Sequence, residues 1–197
     1  MEIWIASSNK GKISEFQILL HELGPVKLHV QSEINGFHPR PEDGKTFLEN
    51  AQIKARTLKA VRPEAWIIAD DSGLEVEGLG GLPGIHTARY AGPKASDSEN
   101  VAKLLKMMSI RPMANRNAQF RAAVVVITPE GEEWQFEGLL KGKIATKPAG
   151  NLGFGYDPVF IPDGEDKTLA ELGAGYKNMH SHRSQATKAF VQKVKSL

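Results

Sequence analysis

Two adjacent carboxylates, Asp70 and Asp71, directly follow the apolar run of residues 66–69. Adjacent carboxylates repel each other, and the pKa of one of them rises unless a cation lies nearby. Mg²⁺ suits such a pair, because it takes a few carboxylate oxygens together with water and substrate phosphates. A carboxylate beside such an ion can also accept a proton from an attacking water. The pair therefore predicts a site for a charged ligand; the alternative, an Asx-turn or a helix N-cap, needs only one aspartate.

A second polar segment lies between the first predicted strand and the first predicted helix. A helix N-terminus and its free N–H groups favour an anion there, and lysines add positive charge. The segment lacks the glycine spacing of the GxxxxGK[ST] phosphate loop. We predict phosphate contacts from it, with a polar N-cap and solvated lysines as the alternative. Its residues are Ser7, Ser8, Asn9, Lys10, Gly11 and Lys12.

A third candidate is the helix that Thr46 begins. Asn50 and Lys54 lie one turn apart on the same face, and Glu42 and Asp43 precede the helix. This face would point into a cleft if it is functional. The alternative is a solvated helix face with a routine acidic N-terminus.

The fourth candidate is an aromatic segment flanked by glycines, residues 153–158. Glycines let backbone and ring approach a flat ligand closely, and stacking of a base on such a ring is worth roughly 1–3 kcal/mol. The alternative is an aromatic ring packed under a glycine turn. Donors follow near the start of the last predicted helix. The candidate residues are Phe154, Gly155, Tyr156, Asp157, Lys177, His182 and Arg183.

The elements that must position these residues alternate between strand and helix patterns, which is typical of an α/β fold. We predict a mixed central sheet in two lobes of one domain, residues 1–197, with an active-site cleft between the lobes. Residues 66–69 are predicted as a short strand, 73–84 as a tightly turning stretch and 172–176 as a loop. The remaining predicted strands are 2–7, 26–30, 120–128, 132–140, 141–146 and 159–161, and the predicted helices lie near 13–23, 46–58, 97–108, 168–172 and 181–194.

The composition excludes several classes of protein. The formal net charge is +2, which is too small to indicate a nucleic-acid-binding surface. The absence of cysteine excludes disulfides and thiol nucleophiles. No apolar run approaches the roughly 18 residues of a membrane span. We therefore expect a cytoplasmic protein without membrane or nucleic-acid partners.

Taken in order, these segments resemble the non-canonical purine nucleoside triphosphate pyrophosphatases, the inosine triphosphatase or HAM1 family. Any single segment is weak evidence, whereas the ordered set is specific and spans about residues 3–190. The matching segments are SNKGK (8–12), TFLENA (46–51) with Lys54, ADDSGL (69–74), GGLPG (80–84), ARYAG (88–92), FGYDP (154–158) and SHR (181–183).

The resemblance implies a homodimer that cleaves ITP, dITP or XTP to the monophosphate and pyrophosphate with Mg²⁺, which keeps deaminated purines out of DNA and RNA. It implies that Asp71 is the proton acceptor and a metal contact, with Ser72 contacting substrate. Residues 8–12 and Lys54 would hold phosphates, and the aromatic segment with Lys177, His182 and Arg183 would hold base and sugar. Asp70 is expected to support the metal or the turn, and Glu42 is our candidate for a further metal ligand.

Two other functions compete with this hypothesis. One is a pyrophosphatase for other nucleotides, such as dUTP or modified pyrimidine triphosphates, because the sequence leaves the edges of the base pocket open. The other is a non-catalytic nucleotide-binding module, which would need phosphate-binding loops but no carboxylate pair.

Overall fold

The structure is a computed structural model in which residues 1–111 and 115–197 are described. Six strands form one mixed sheet in the order β2-β1-β3-β4-β5-β6. β1 pairs in parallel with β2 and β3, and β5 pairs antiparallel with β6. The strands are β1 Glu2–Ile5, β2 Lys27–Val30, β3 Trp66–Val76, β4 Asn117–Ile127, β5 Glu133–Ile144 and β6 Phe160–Pro162, and the helices are α1 Lys10–Leu19, α2 Phe47–Lys59, α3 Asp97–Ser109, α4 Leu169–His180 and α5 His182–Lys195. The predicted mixed sheet is confirmed.

The chain divides into two compact units. Unit 1 consists of Met1–Asp71, Ala122–Gly138 and Arg183–Leu197. Its core joins apolar residues of β1, α1, β3, β4 and α5, among them Ile5, Phe16, Ile68, Val124 and Phe190. Complete burial of such a side chain contributes about 1.5–3 kcal/mol. This core holds the part of β3 that precedes the carboxylate pair.

Unit 2 consists of Ser72–Arg121 and Leu139–His182. Its core includes Leu74, Leu104, Phe120, Phe160 and Leu169, so α3 and α4 pack against the strands of this unit. Ser96 caps α3 and Thr168 caps α4, and each helix has the reciprocal glutamate of a capping box. These caps fix where both helices begin.

The predicted end of the third strand was wrong. β3 continues through Asp70, Asp71 and Gly73 to Val76, so the carboxylates lie inside a strand and not in a turn. A polar pair normally signals the end of a buried strand, but cations from distant elements compensate these charges, as described below. Neither an Asx-turn nor a helix N-cap explains the pair.

The predicted loop at residues 172–176 was also wrong. This stretch is helical and belongs to α4, which has a kink at Gly173, where φ is 79° and ψ is −172°. A glycine reaches this left-handed φ without the cost that a Cβ imposes. The helix therefore changes direction at Gly173 and continues to His180, so Lys177 lies on a helix.

Most other predicted elements are confirmed with shifted bounds. α1 begins at Lys10, so Lys10, Gly11 and Lys12 form its first turn and not the preceding loop. The two strands predicted over 132–146 are one strand, β5. Across both described stretches, no helix combines the length and apolarity that a membrane crossing requires.

Candidate active site

The two neighbouring aspartates have different surroundings. Asp70 is almost fully buried, and its Oδ1 lies 2.5 Å from Lys12 Nζ and 3.2 Å from Arg183 Nη2. Burial alone would raise the pKa of Asp70, but the charges of Arg183 and Lys12 outweigh it and hold that pKa well below its usual range. Asp70 is therefore an ionised carboxylate between the buried guanidinium of Arg183 and the half-buried ammonium group of Lys12.

Arg183 extends this group of charges to α1. Its guanidinium is 1% exposed and also donates to Glu15. Burial would lower the pKa of Arg183, but Asp70 and Glu15 raise it further. Burial lowers the pKa of Lys12, although Asp70 opposes this. The resulting network has the buried Asp70 and Arg183 at its centre and the half-buried Lys12 and Glu15 at its ends, and its charges of opposite sign balance.

Asp71 has a more accessible environment. Its Oδ1 accepts a hydrogen bond from Lys54 Nζ at 3.0 Å, and its Oδ2 accepts one from Asn50 Nδ2 at 3.2 Å. Burial raises the pKa of Asp71 more than the attraction of Lys54 lowers it. The side chain keeps 11% of its surface exposed, whereas that of Asp70 keeps none. Asp71 can therefore be reached by a ligand.

Lys54 joins Asp71 to the acidic segment before α2. Its Nζ lies 3.4 Å from Glu42 Oε2. Burial would lower the pKa of Lys54, but the negative charges of Asp71 and Glu42 raise it above its usual value. The side chain is therefore protonated at neutral pH. The predicted face of α2 with Asn50 and Lys54 is therefore directed at Asp71 and is not a solvated face.

The carboxylates near Lys54 suit a hard divalent cation that takes its other ligands from the substrate. Glu42 and Asp71 both approach one ammonium group, and carboxylate oxygens are the ligands Mg²⁺ prefers. Within residues 1–111 and 115–197, no three His, Asp or Glu side chains form a group that could hold a metal by themselves. Mg²⁺ commonly takes only one or two carboxylates together with substrate phosphates. Asp70 fits less well, because Lys12 and Arg183 already engage its carboxylate.

The predicted phosphate segment is a capped helix start. Asn9 is the N-cap of α1, and its side chain accepts from Lys12 N at 3.0 Å. Ser7 Oγ accepts from Asn9 N at 3.2 Å. Ser8, Asn9 and Lys10 are exposed, which leaves them accessible to an anion at the positive end of the helix.

The aromatic segment forms a compact arrangement within unit 2. Asp157 Oδ2 accepts from Lys177 Nζ at 2.7 Å and from Phe154 N at 3.0 Å. Lys177 Nζ also lies 4.3 Å from the centre of the Phe154 ring, at cation–π distance. Phe154, Asp157 and Lys177 are thus brought together, as a pocket for a flat ligand requires.

The neighbours of this arrangement support it in different ways. Tyr156 is buried and its hydroxyl donates to Thr87 O at 2.8 Å, while Gly155 N donates to Asp97 Oδ2 at 2.6 Å. Phe154 lines a cavity of about 510 Å³, together with apolar side chains of α3. This volume lies within the range of small-molecule pockets, about 300–1,000 Å³.

Two further predicted residues have other surroundings. His182 is buried and stacks on Phe120, with ring centroids 4.9 Å apart and planes 10° apart. Ser72 follows Asp71 in β3 and is half-buried. Their predicted contacts with substrate stay predictions.

Gly153 offers a test of the aromatic segment. Its φ is 78°, and a Cβ there would lie well inside 3.0 Å of Asp157 Oδ2. We expect Gly153→Ala to lower the free energy of unfolding by about 1–3 kcal/mol, because the backbone is strained and Asp157 must move from Lys177. Gly155→Ala is the matched control, since φ there is 61° and a Cβ would meet nothing within 4 Å. Denaturant unfolding should show a larger loss for Gly153→Ala, and equal losses would contradict the tight placement of Asp157.

Sequence reasoning missed two members of the charged groups. Glu15 is 168 residues from its partner Arg183, so no local pattern connects them. Asn50 was noted on the face of Lys54 but not predicted as a site residue. The position of Asn50 one turn before Lys54, on the same helix face, is the feature of the sequence that could have indicated its contact with Asp71.

Known proteins resemble this chain over nearly its whole length. The model of the Ham1 family matches residues 3–193. The dITP/XTP pyrophosphatase of Bdellovibrio bacteriovorus is 62% identical over 197 residues, which cover 100% of this chain and 99% of that protein. The dITP/XTP pyrophosphatase of Bacillus licheniformis is 44% identical over 189 residues, which cover 95% of this chain and 94% of that protein.

Solved structures agree with these sequence matches. A HAM1 protein from Coxiella burnetii superimposes with a TM-score of 0.89 and 35% identity, covering 100% of both chains. The Ham1 protein of Staphylococcus aureus gives a TM-score of 0.86 and 38% identity, covering 100% of this chain and 99% of that one. The predicted α/β fold and the predicted family are thereby confirmed, and the chain belongs to the Ham1 family.

Proposed function

We propose that this chain is a nucleoside triphosphate pyrophosphatase that hydrolyses dITP, ITP and XTP to the monophosphate and pyrophosphate. The proposal rests above all on the unequal pair in β3. Asp70 is neutralised by Lys12 and Arg183, while Asp71 remains accessible beside Lys54. The family and the names of the two bacterial relatives, both dITP/XTP pyrophosphatases, support the same activity.

Charge neutralisation is the main task at such a site, because the substrate is a polyanion and pyrophosphate leaves. Lys54, Lys10 and Lys12 supply positive charge, and the start of α1 supplies exposed N–H groups. In this proposal residues 7–12 and Lys54 bind the phosphates and Ser72 contacts substrate. Lys54 is held between Glu42 and Asp71, so it is ordered before substrate arrives.

Asp71 is the proposed proton acceptor. Its carboxylate is fixed by two hydrogen bonds and is next to the cations that would hold the phosphates. A positioned carboxylate that accepts a proton from water contributes roughly 10²–10⁴-fold to a rate. Mg²⁺ would be held by Asp71 and Glu42 together with the triphosphate, and it would polarise the phosphoryl oxygens when bound. A contact of Asp70 with the metal stays a prediction.

The proposed base and sugar pocket consists of the aromatic segment and its donors. A flat base can stack on Phe154, which Asp157 and Lys177 hold in place. A 6-oxo purine presents an acceptor where adenine presents a donor, so backbone N–H groups or a cationic side chain favour inosine and xanthosine. The residues assigned to this pocket are Phe154, Gly155, Tyr156, Asp157, Lys177 and His182. Arg183 pairs with Asp70 and Glu15, and its contact with base or sugar stays a prediction.

We further propose that the protein acts as a cytoplasmic homodimer, without nucleic-acid or membrane partners, and keeps deaminated purines out of DNA and RNA. The family resemblance supports the dimer, and the small net charge supports the absence of nucleic acid. That the two units form one domain stays a prediction. Light scattering at micromolar protein concentration checks the dimer, and a mass equal to one chain would contradict it.

Pyrophosphate release from a panel of nucleotides tests the proposed activity. With Mg²⁺ present, we expect kcat/KM for ITP, dITP and XTP to exceed that for ATP, GTP and dUTP by at least tenfold. Adenine lacks the 6-oxo acceptor, and the loss of such a hydrogen bond in a polar pocket already gives such ratios. Guanine keeps that oxygen, so its expected rejection requires a penalty on its 2-amino group. Chelation of the metal should reduce release from every nucleotide. A preference for dUTP would support the pyrimidine alternative, equal rates for ATP and ITP would overturn the selectivity, and no release at all would favour a non-catalytic module.

A further inference from the structure

We propose that Asn50 is a positioning residue for the reaction: its side-chain amide ties the Asp71 carboxylate to the backbone of the acidic segment at Gly44, which sets the Asp71 oxygens relative to Lys54 and Glu42. The inference rests on the proposed function. It adds a residue that touches neither substrate nor metal and that acts through Asp71.

The two ends of the Asn50 amide bind different segments. Nδ2 donates to Asp71 Oδ2 at 3.2 Å, and Oδ1 accepts from Gly44 N at 2.9 Å. The orientation of the amide is fixed by chemistry, because a backbone N–H can only donate and an ionised carboxylate can only accept. Asn50 is 1% exposed, so water does not compete for either hydrogen bond.

The hydrogen bond from Asn50 makes the two oxygens of Asp71 unequal. Oδ2 faces the amide of Asn50, and Oδ1 faces Lys54 Nζ at 3.0 Å. A carboxylate held from both sides cannot rotate freely about its terminal bond. The geometry therefore directs Oδ1 toward the group of Lys54 and Glu42, where the proposed phosphates and metal would lie.

The acidic segment is packed closely against the same amide. A Cβ added at Gly44 would lie 2.7 Å from Asn50 Oδ1, 2.8 Å from Glu49 Cβ and 3.0 Å from Asn50 N. A side chain at position 44 would therefore push the segment away from α2. Because Glu42 is two residues from Gly44, the contact between Asn50 and Gly44 also places Glu42 near Lys54.

The start of α2 keeps Asn50 in a fixed position. Thr46 is the N-cap, and its side chain accepts from Glu49 N at 3.1 Å. Glu49 Oε2 accepts from Lys45 N at 2.6 Å. The first bond satisfies an N–H group of the helix, and the second ties the first turn to the residue before the cap, so both restrict the start of α2. The Asn50 side chain is thus presented from a rigid element, as accurate positioning of a reactive group requires.

Asparagine is the residue type that fits both partners. Aspartate would still accept from Gly44 N but would set a second carboxylate against Asp71. Leucine has a similar size but can neither donate nor accept. The two substitutions therefore separate the two hydrogen bonds of Asn50. Asn50→Asp keeps the bond from Gly44 N, whereas both substitutions remove the bond to Asp71.

Steady-state kinetics with dITP and Mg²⁺ test the proposal. We expect Asn50→Asp and Asn50→Leu each to lower kcat by about 10–100-fold, with KM changed by less than about threefold, because misplacement of a reactive group by about 1 Å costs on the order of 10²-fold. Gly44→Ala should also lower kcat. If Asn50→Asp keeps the kcat of the unaltered protein, Asn50 merely anchors the segment and the proposal is overturned.

Asn100→Leu is the matched control. Asn100 is 2% exposed on α3, and its amide also makes two hydrogen bonds, from Ala91 N at 2.7 Å and to Ala88 O at 3.1 Å. We expect Asn100→Leu to lower the Tm about as much as Asn50→Leu and to leave kcat within about twofold at a temperature where both are folded. An equal fall of kcat in both variants would mean general destabilisation and would overturn the proposal.

A double-mutant cycle shows whether Asn50 acts through Asp71. Residues that act as one unit are strongly non-additive in kcat. We expect Asn50→Leu to change the residual kcat of Asp71→Asn by less than about twofold. A full multiplicative loss would overturn the proposal. If the unaltered protein releases no pyrophosphate, the proposed function fails; if it does and the Asn50 variants match Asn100→Leu, only this inference fails.

Discussion

Asp71→Asn is expected to lower kcat for dITP by about 10²–10⁴-fold, the contribution of a well-placed proton acceptor. The amide has one acceptor oxygen, so it can accept from Lys54 Nζ or from Asn50 Nδ2 but not from both, and it cannot take a proton from water. The Tm should stay equal or rise slightly, because burial raises the pKa of Asp71 and its charge therefore does not stabilise the fold at neutral pH. Pyrophosphate release and thermal unfolding of the same sample measure both effects.

Glu75→Gln is the matched control for this result. Glu75 lies on the same strand, and its carboxylate is paired with Arg121 at 3.3 Å and with Gln119 at 2.7 Å. The substitution also removes one negative charge from β3, but away from the proposed reaction centre. We expect kcat within about threefold of the unaltered protein. A similar large loss in Glu75→Gln, or full activity of Asp71→Asn, would contradict the assignment of Asp71.

Asp70→Asn is expected to have the opposite effect and to destabilise the fold by about 3–5 kcal/mol, the usual cost of removing one partner of a buried ion pair. Lys12 and Arg183 would lose the carboxylate that lies 2.5 Å and 3.2 Å from their nitrogens. Glu15 would still pair with Arg183. Denaturant unfolding at pH 7 gives the loss directly, with Asp71→Asn as the neighbouring control.

The destabilisation caused by Asp70→Asn is expected to depend on pH in one direction only. The folded-state pKa of Asp70 lies below the unfolded value of about 3.9. Its stabilisation is therefore fully present above about pH 4 and is lost as the pH falls toward the folded pKa. The difference in unfolding free energy between the unaltered protein and Asp70→Asn should be constant from pH 5 to 7 and smaller at pH 3. A difference that grows on acidification would contradict the buried ion network.

The sequence was sufficient to predict several of the elements that carry the candidate site. Apolar spacing predicts α1, α2 and α3, because each helix has buried apolar residues at helical spacing. The loop before α1 and the glycines around Phe154 are local signals, so they indicate phosphate-binding and ring-stacking segments without knowledge of the fold. Lys54 and Asn50 share a face by helix geometry alone, and the structure directs both at Asp71.

The remaining features depend on contacts between distant parts of the chain. Local patterns end the strand at Asp70, since buried carboxylates are costly, yet Lys12 and Arg183 arrive from 58 and 113 residues away and allow β3 to continue. The pairing of Arg183 with Glu15 depends on α5 packing beside α1, which no local pattern shows. The different roles of the two aspartates therefore became visible only with the fold.

The bond that is cleaved tests the central claim most directly. The proposed site is that of a pyrophosphatase, so the ³¹P NMR spectrum of dITP incubated with the protein and Mg²⁺ should show equal amounts of the nucleoside monophosphate and inorganic pyrophosphate. The same sample with Asp71→Asn should show almost unchanged dITP. Formation of the diphosphate and inorganic phosphate, or no turnover by the unaltered protein, would contradict the account.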